Sequence, residues 1–175
     1  RRLKVCAVGH GIVARRDLHG HLRLAVFANA VFVHVRVRAP VAADRAFPVL
    51  KIVMRAGIAA GADSILVSHV TVNSIDSDNP ASLSEPVHEV IRNKLKFDGV
   101  VMTDDLDMFA VDALDIYEPL SVVAFKAGND FLCCGDIESE YTALLNAVQS
   151  GEITADRIDE SVKRILIWKR NLAIL

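Results

Sequence analysis

Residues 99–108 read GVVMTDDLDM: a glycine, three apolar residues and a threonine, then carboxylates at Asp104, Asp105 and Asp107. A short, almost unbroken apolar run is the signature of a strand covered on both faces, as in a parallel sheet packed under helices. Two further runs share this character, SILVSHV at 64–70 and NDFLCC at 129–134. The three are separated by roughly 30 to 35 residues, which suits βαβ units. Helical patterns occupy the intervals. Strands alternating with helices predict an α/β chain with a parallel sheet, and periodicity alone leaves open whether that sheet is a barrel or a doubly wound layer.

Working outward, KIVMRAGIAAGAD (51–63) has helical spacing and ends in glycine-containing loop chemistry. A polar loop, TVNSIDSDNPAS, follows the first strand. Ser84 is placed to cap a helix, Pro86 fits its first turn, and Val87, Val90, Ile91 and Leu95 line one face. Gly99 stands where that helix must stop and the next strand begin. YEPLSVVAFKAG, ESEYTALLNAVQSG and TADRIDESVKRILIWKRNL are the later helical segments; in the last, Ile158, Val162, Ile165, Leu166 and Leu172 recur at helical spacing. Residues 1–50 are different. VFVHVRVR (31–38) alternates with period two, the mark of a half-exposed strand.

The chain has 175 residues, 52% of them hydrophobic and 24% charged, a balance that indicates a globular protein of about one domain. No apolar run reaches the roughly 18 residues of a membrane span. The opening RRLKVCAVGHG is basic then apolar, but its apolar part is too short and interrupted for a signal peptide. That, with free cysteines, favours a cytoplasmic location while leaving the compartment open. Three cysteines, two of them adjacent at 133 and 134, form neither a disulfide framework nor a metal spacing.

The net charge of −2 conceals a split: residues 1–50 carry nine basic and two acidic side chains, residues 51–175 eleven and twenty. The arginines of the basic part are scattered among valines and alanines, without the aromatic interleaving that base stacking uses, so nucleic acid is not expected as a partner. DSDN (76–79) lacks the later ligand and glycine of a calcium loop, where Pro80 and Ala81 stand instead. Neither a metal nor a cofactor is expected.

In parallel α/β folds the reactive groups lie beyond the carboxyl ends of the strands. His69, Asp104 and Asp105 should therefore face one site. Asp105 and Asp107 suit the first turn of a following helix. Asp104 directly follows the apolar run, where it could act as nucleophile, metal ligand or general base, or cap the next helix.

ILVSHV, DSDNPASLS, VIRNKLKFDGVVMTDDLDM, AFKAGNDFL and AVQSGEITADRIDESVKRIL, in that order and spacing, resemble the second half of a family-3 glycoside hydrolase. The branch they are most similar to is the β-N-acetylglucosaminidases, including the β-hexosaminidases that trim cell-wall fragments. The likeness runs from about Ala56 to the carboxyl terminus. It implies a (β/α)8 TIM-type barrel of which the three strands are the last three. It also implies a retaining mechanism through a covalent glycosyl-enzyme intermediate, with the nucleophile on Asp104. A carbohydrate, a terminal β-linked N-acetylglucosaminide, is the implied substrate. A nucleophilic carboxylate must be ionised and rigidly aimed, so a position held by a buried strand is apt.

In this branch a histidine paired with an aspartate two residues earlier supplies the proton. The corresponding region reads KVCAVGHGIVARRDLH, which places that dyad on Asp17 and His19 and a sugar-gripping lysine on Lys4. A paired carboxylate favours the imidazolium and fixes ring orientation. His69 is a further candidate for substrate contact, or else a hydrogen-bonded histidine at the rim. The segment departs from the family pattern: Ile12-Val13 replace the expected Asp-Thr, one extra residue precedes Asp17, and Lys4 is out of register. With the change in composition, these departures divide the chain into residues 1–48, a diverged or frame-disrupted basic segment, and 49–175, the carboxyl-terminal part of the barrel. Half a barrel exposes strand edges and apolar faces and should self-associate through them. Two other readings remain: a non-catalytic remnant or carbohydrate-binding pseudoenzyme, and an NADP-binding oxidoreductase. The second would use Gly9-x-Gly11-x-x-Ala14 as a relaxed dinucleotide fingerprint, with Arg36 and Arg38 on a 2′-phosphate.

Overall fold

The structure, a computed structural model, describes residues 54–107 and 116–174, together with the backbone of four strands nearer the amino terminus. Those four are β1 (Val5–Cys6), β2 (Gly11–Arg16), β3 (Leu22–Ala28) and β4 (Val31–Arg36). A helix, α1, spans 54–59. It leads into β5 (Ser64–Val67), the short pair β6 (Thr71–Val72) and β7 (Asp76–Pro80), and α2 (Glu85–Glu89). Then come β8 (Val100–Asp105), α3 (Leu120–Ala127), β9 (Phe131–Cys133), α4 (Ile137–Gln149) and α5 (Ala155–Asn171).

One seven-stranded sheet has the order β1-β4-β3-β2-β5-β8-β9. Its carboxyl-terminal part is parallel, with β5 paired to β8 and β8 to β9. These are the three apolar runs of the sequence, adjacent and codirectional, as barrel strands are. The amino-terminal part is an antiparallel ribbon joined to β5 by a short parallel pairing, Ile12 with Ile65 and Val13 with Leu66. Gly11 and Ala14 both lie within β2. A dinucleotide fingerprint needs those positions on a turn opening a helix, where backbone N–H groups can cradle a pyrophosphate. The NADP reading is corrected on that ground.

The expected cap is present: Ser84 Oγ accepts from Val87 N at 3.4 Å, and Pro86 lies in the first turn of α2. The helix continues through a wide turn, Val90–Lys94, in which Leu95 N donates to Val90 O five residues back. Val87, Val90, Ile91 and Leu95 are all buried, as their spacing required. Gly99 does not end this helix. Lys96 takes the left-handed conformation (φ 56°) instead. Gly99 serves close approach, since a Cβ there would collide with the Asp63 carbonyl and the Phe97 ring.

Between sheet and helices lies a core of Ile65, Val67 and Val101 against Val87, Ile91 and Phe97. A second cluster joins Val122 and Phe125 of α3 to Ala147 of α4 and Ile153. At the amino end of β9 the packing is ionic. The Asp130 side chain is fully buried and accepts from Val101 N at 3.0 Å, Ser161 Oγ at 2.8 Å and Arg164 Nη1 at 3.0 Å. Arg92 also pairs with it, and Arg157 lies at 3.4 Å. Helix α5 therefore turns Arg157, Ser161 and Arg164 inward. Val162 and Leu166, two of the apolar residues that recur at helical spacing, are exposed at 46% and 47%. Ile137, Tyr141 and Leu145 form an exposed apolar row on α4, and β9 is an edge strand.

Candidate active site

The register of β5 and β8 determines which way Asp104 points. Ile65 pairs with Val101 and Val67 with Thr103. Ile65, Val67 and Val101 pack against helices, so this set faces the helical layer. Strand side chains alternate, which turns Met102 and Asp104 to the opposite face. Asp104 is therefore half-buried at the carboxyl end of β8, on the side that becomes the interior when such a sheet closes. Its Oδ1 accepts from Asp105 N at 3.1 Å.

The other two carboxylates of the run are occupied by loop geometry. Asp105 Oδ1 accepts from Asp107 N at 3.1 Å, closing the turn after the strand. Asp107 Oδ2 accepts from Gly135 N at 2.6 Å, tying the loop after β8 to the loop after β9. Cys133 N donates to Thr103 Oγ1 at 2.9 Å, and Leu106 N to Cys133 O at 2.8 Å. The Cys133 thiol is pushed up in pKa by burial first, then by the charges of Asp105 and Asp104. Neither adjacent cysteine is a ready thiolate, because burial first, then the charges of Glu140 and Asp107, raise Cys134.

His69, just past the end of β5, lies at the same rim. Its Nδ1 is 2.7 Å from Ser82 Oγ and its Nε2 is 2.7 Å from the Asp105 carbonyl oxygen. A carbonyl only accepts, so Nε2 carries the proton, and in the neutral ring Nδ1 accepts from the Ser82 hydroxyl. Both ring nitrogens are thus engaged within the protein. Ser82 is fully buried, and its carbonyl accepts from Asn129 Nδ2 at 2.7 Å. Ser82 and Asn129 do not stand out in the sequence as site residues, since a lone serine or asparagine carries no pattern of its own. Their sole sequence signal is membership of the PASLS and AGND segments.

The structure thus brings Asp104 and His69 to one rim. Lys4, Asp17 and His19 lie outside the described residues. No group of three or more metal-ligating side chains occurs among the described residues.

Residues 38–167 match the glycosyl hydrolase family 3 N-terminal domain. A β-hexosaminidase of Photobacterium profundum is 34% identical over 84 residues, 47% of this chain and 25% of the relative. A β-N-acetylglucosaminidase/β-glucosidase of Cellulomonas fimi is 27% identical over 135 residues, 70% of this chain and 24% of the relative. Among solved structures, a family-3 β-N-acetylglucosaminidase from Paenibacillus sp. str. FPU-7 superposes with a TM-score of 0.61 at 35% identity, covering 69% of this chain and 24% of that one. The chain belongs to glycosyl hydrolase family 3, and its parallel strands are part of that family's TIM-type barrel domain. It spans about a quarter of the length of these relatives.

Proposed function

We propose that residues 49–175 form the carboxyl-terminal part of the catalytic barrel of a retaining β-N-acetylglucosaminidase, with Asp104 as its nucleophile. The position of Asp104 carries this reading: a carboxylate at the carboxyl end of a buried parallel strand, on the face away from the helices. In the first step a carboxylate oxygen of Asp104 bonds to the anomeric carbon as the glycosidic bond breaks. The leaving oxygen takes a proton from a general acid, for which His19 paired with Asp17 is the candidate. Water, deprotonated by the same group, then releases the sugar and regenerates Asp104. Lys4 is the candidate contact to the sugar hydroxyls.

Hydrolysis of an aryl N-acetyl-β-glucosaminide by the 175-residue chain tests the proposal. Activity should fall to background in Asp104→Asn. His19→Gln should lose turnover of substrates with poor leaving groups while keeping activated aryl glycosides, because a good leaving group needs no protonation. Retained hydrolysis in Asp104→Asn would refute the nucleophile.

A second reading is a carbohydrate-binding remnant that binds the sugar without turnover, with β9 at the edge of the sheet. The same edge, with the apolar row on α4, supports self-association, read by sedimentation as a mass above 19.1 kDa. Residues 1–48 are proposed to be a diverged or frame-disrupted segment. A family-like continuation in another frame of the parent gene would support this, and an uninterrupted homologous frame would refute it.

A further inference from the structure

We infer that His69 is a positioning residue for Asp104: its Nε2–H, in a ring steadied by Ser82, replaces a missing strand and holds the backbone that aims the carboxylate. The inference rests on the reading of Asp104 as nucleophile. It begins from unequal strand lengths. β5 ends at Val67, whose register partner is Thr103, whereas β8 runs on to Asp105. The last residues of β8 therefore have no β5 backbone beside them to supply the next ladder hydrogen bond. On its other side β8 remains paired, with Leu106 N donating to Cys133 O at 2.8 Å.

The peptide joining Asp105 to Leu106 is planar, so its carbonyl points away from its N–H, toward the side β5 has vacated. There His69 Nε2 meets the Asp105 oxygen at 2.7 Å. One peptide plane is thus clamped from both sides, by a backbone acceptor on β9 and an imidazole donor from beyond β5. Asp105, held in this way, presents its own N–H to Asp104 Oδ1 at 3.1 Å. The orientation of the Asp104 carboxylate is in this way tied to His69 through a single residue.

The donor must remain on Nε2 for the clamp to hold. The Asp105 carbonyl, which only accepts, keeps it there, and Ser82, with its hydroxyl 2.7 Å from Nδ1 and its carbonyl anchored by Asn129 Nδ2, also at 2.7 Å, holds the ring in that orientation. Asn129 Nδ2 donates in addition to Ala124 O at 2.7 Å, so the support reaches back to α3. This assignment differs from a sugar contact by His69. A histidine with both nitrogens engaged within the protein has no polar atom left for a hydroxyl.

Amide hydrogen exchange on the full chain tests this directly, because the Asp105 N–H bonds to the Asp104 carboxylate and the Leu106 N–H, part of the clamped peptide, bonds to Cys133 O. In His69→Leu both amides should exchange about tenfold faster, the loss expected of one net hydrogen bond. Val101 N, bound to Asp130 at the other end of β8, should keep its protection and so separates local release from unfolding. His69→Gln, whose amide nitrogen reaches about as far as Nε2, should restore both rates. On the aryl N-acetyl-β-glucosaminide, His69→Leu should lower kcat with KM unchanged.

Unchanged exchange at Asp105 and Leu106 in His69→Leu, or a raised KM with kcat intact, overturns the inference. A wild-type chain that does not turn over counts against the hydrolase reading alone, and the exchange rates still decide whether His69 holds Asp104.

Discussion

Asp130→Asn isolates the ionic anchor beneath the sheet. The wild-type carboxylate is wholly buried and has five donors: Val101 N, Ser161 Oγ and the guanidinium groups of Arg92, Arg157 and Arg164. An amide of the same shape keeps one oxygen, which can still serve Val101 N and Arg92. Its NH2 then faces Ser161 Oγ, which can accept, but also Arg164 and Arg157, which cannot. The charge is lost as well, leaving three guanidinium groups, each no more than 25% exposed, with Glu160 beside Arg164 as the remaining counter-charge. Breaking a buried pair from one side costs about 3–5 kcal/mol, a large share of the roughly 5–15 kcal/mol available to a domain. For a chain of this size that is a drop in Tm of about 6 to 20 °C.

The single tryptophan, Trp168, is on the same helix as Arg157 and Arg164 and packs edge-on against Phe131 at 6.5 Å, so its fluorescence follows the anchor in a urea titration. Adding Arg164→Met should return about 1 kcal/mol or more of the loss, because it removes a repulsion the first change created. A single variant within about 0.5 kcal/mol of wild type would refute the reasoning. So would strict additivity of the pair.

Two titrating groups give further tests. His88 is buried, and burial outweighs its bond to the Ser84 carbonyl, holding its pKa below the ordinary 6.5. The unfolded chain therefore binds the proton first, and stability should fall as pH drops below about 6.5; His88→Gln should flatten that slope in urea titrations at several pH values. Asp76 is held at about 2, chiefly by the Ser84 hydroxyl at 2.7 Å, so its contribution is present above 3.8 and lost as pH falls toward 2. Ser84→Ala should move the Asp76 midpoint upward in a 13C titration, and it should cost about 1 kcal/mol through the lost cap on α2.

What could be read without coordinates was whatever is written locally. Apolar runs report strands buried on both faces, so β5, β8 and β9 and their parallel class were legible, as was the Ser84 cap with its apolar face. The position of Asp104 followed from the same pattern, because the end of a strand is a sequence feature. Periodicity said little about α5: it marks apolar residues at helical spacing, and two of them, Val162 and Leu166, are exposed. The helix instead turns on Arg157, Ser161 and Arg164, whose burial makes sense only once Asp130, 27 to 34 residues earlier, is known to lie beneath them. The His69 clamp was hidden for the same reason. His69 was visible as a rim residue, but its role depends on β5 ending two residues before β8 does and on a serine thirteen residues away. Amino-acid order alone determined which segments could be buried strands and helices. Tertiary structure decided which polar groups meet, because hydrogen bonds and ion pairs between distant residues leave no period in the chain.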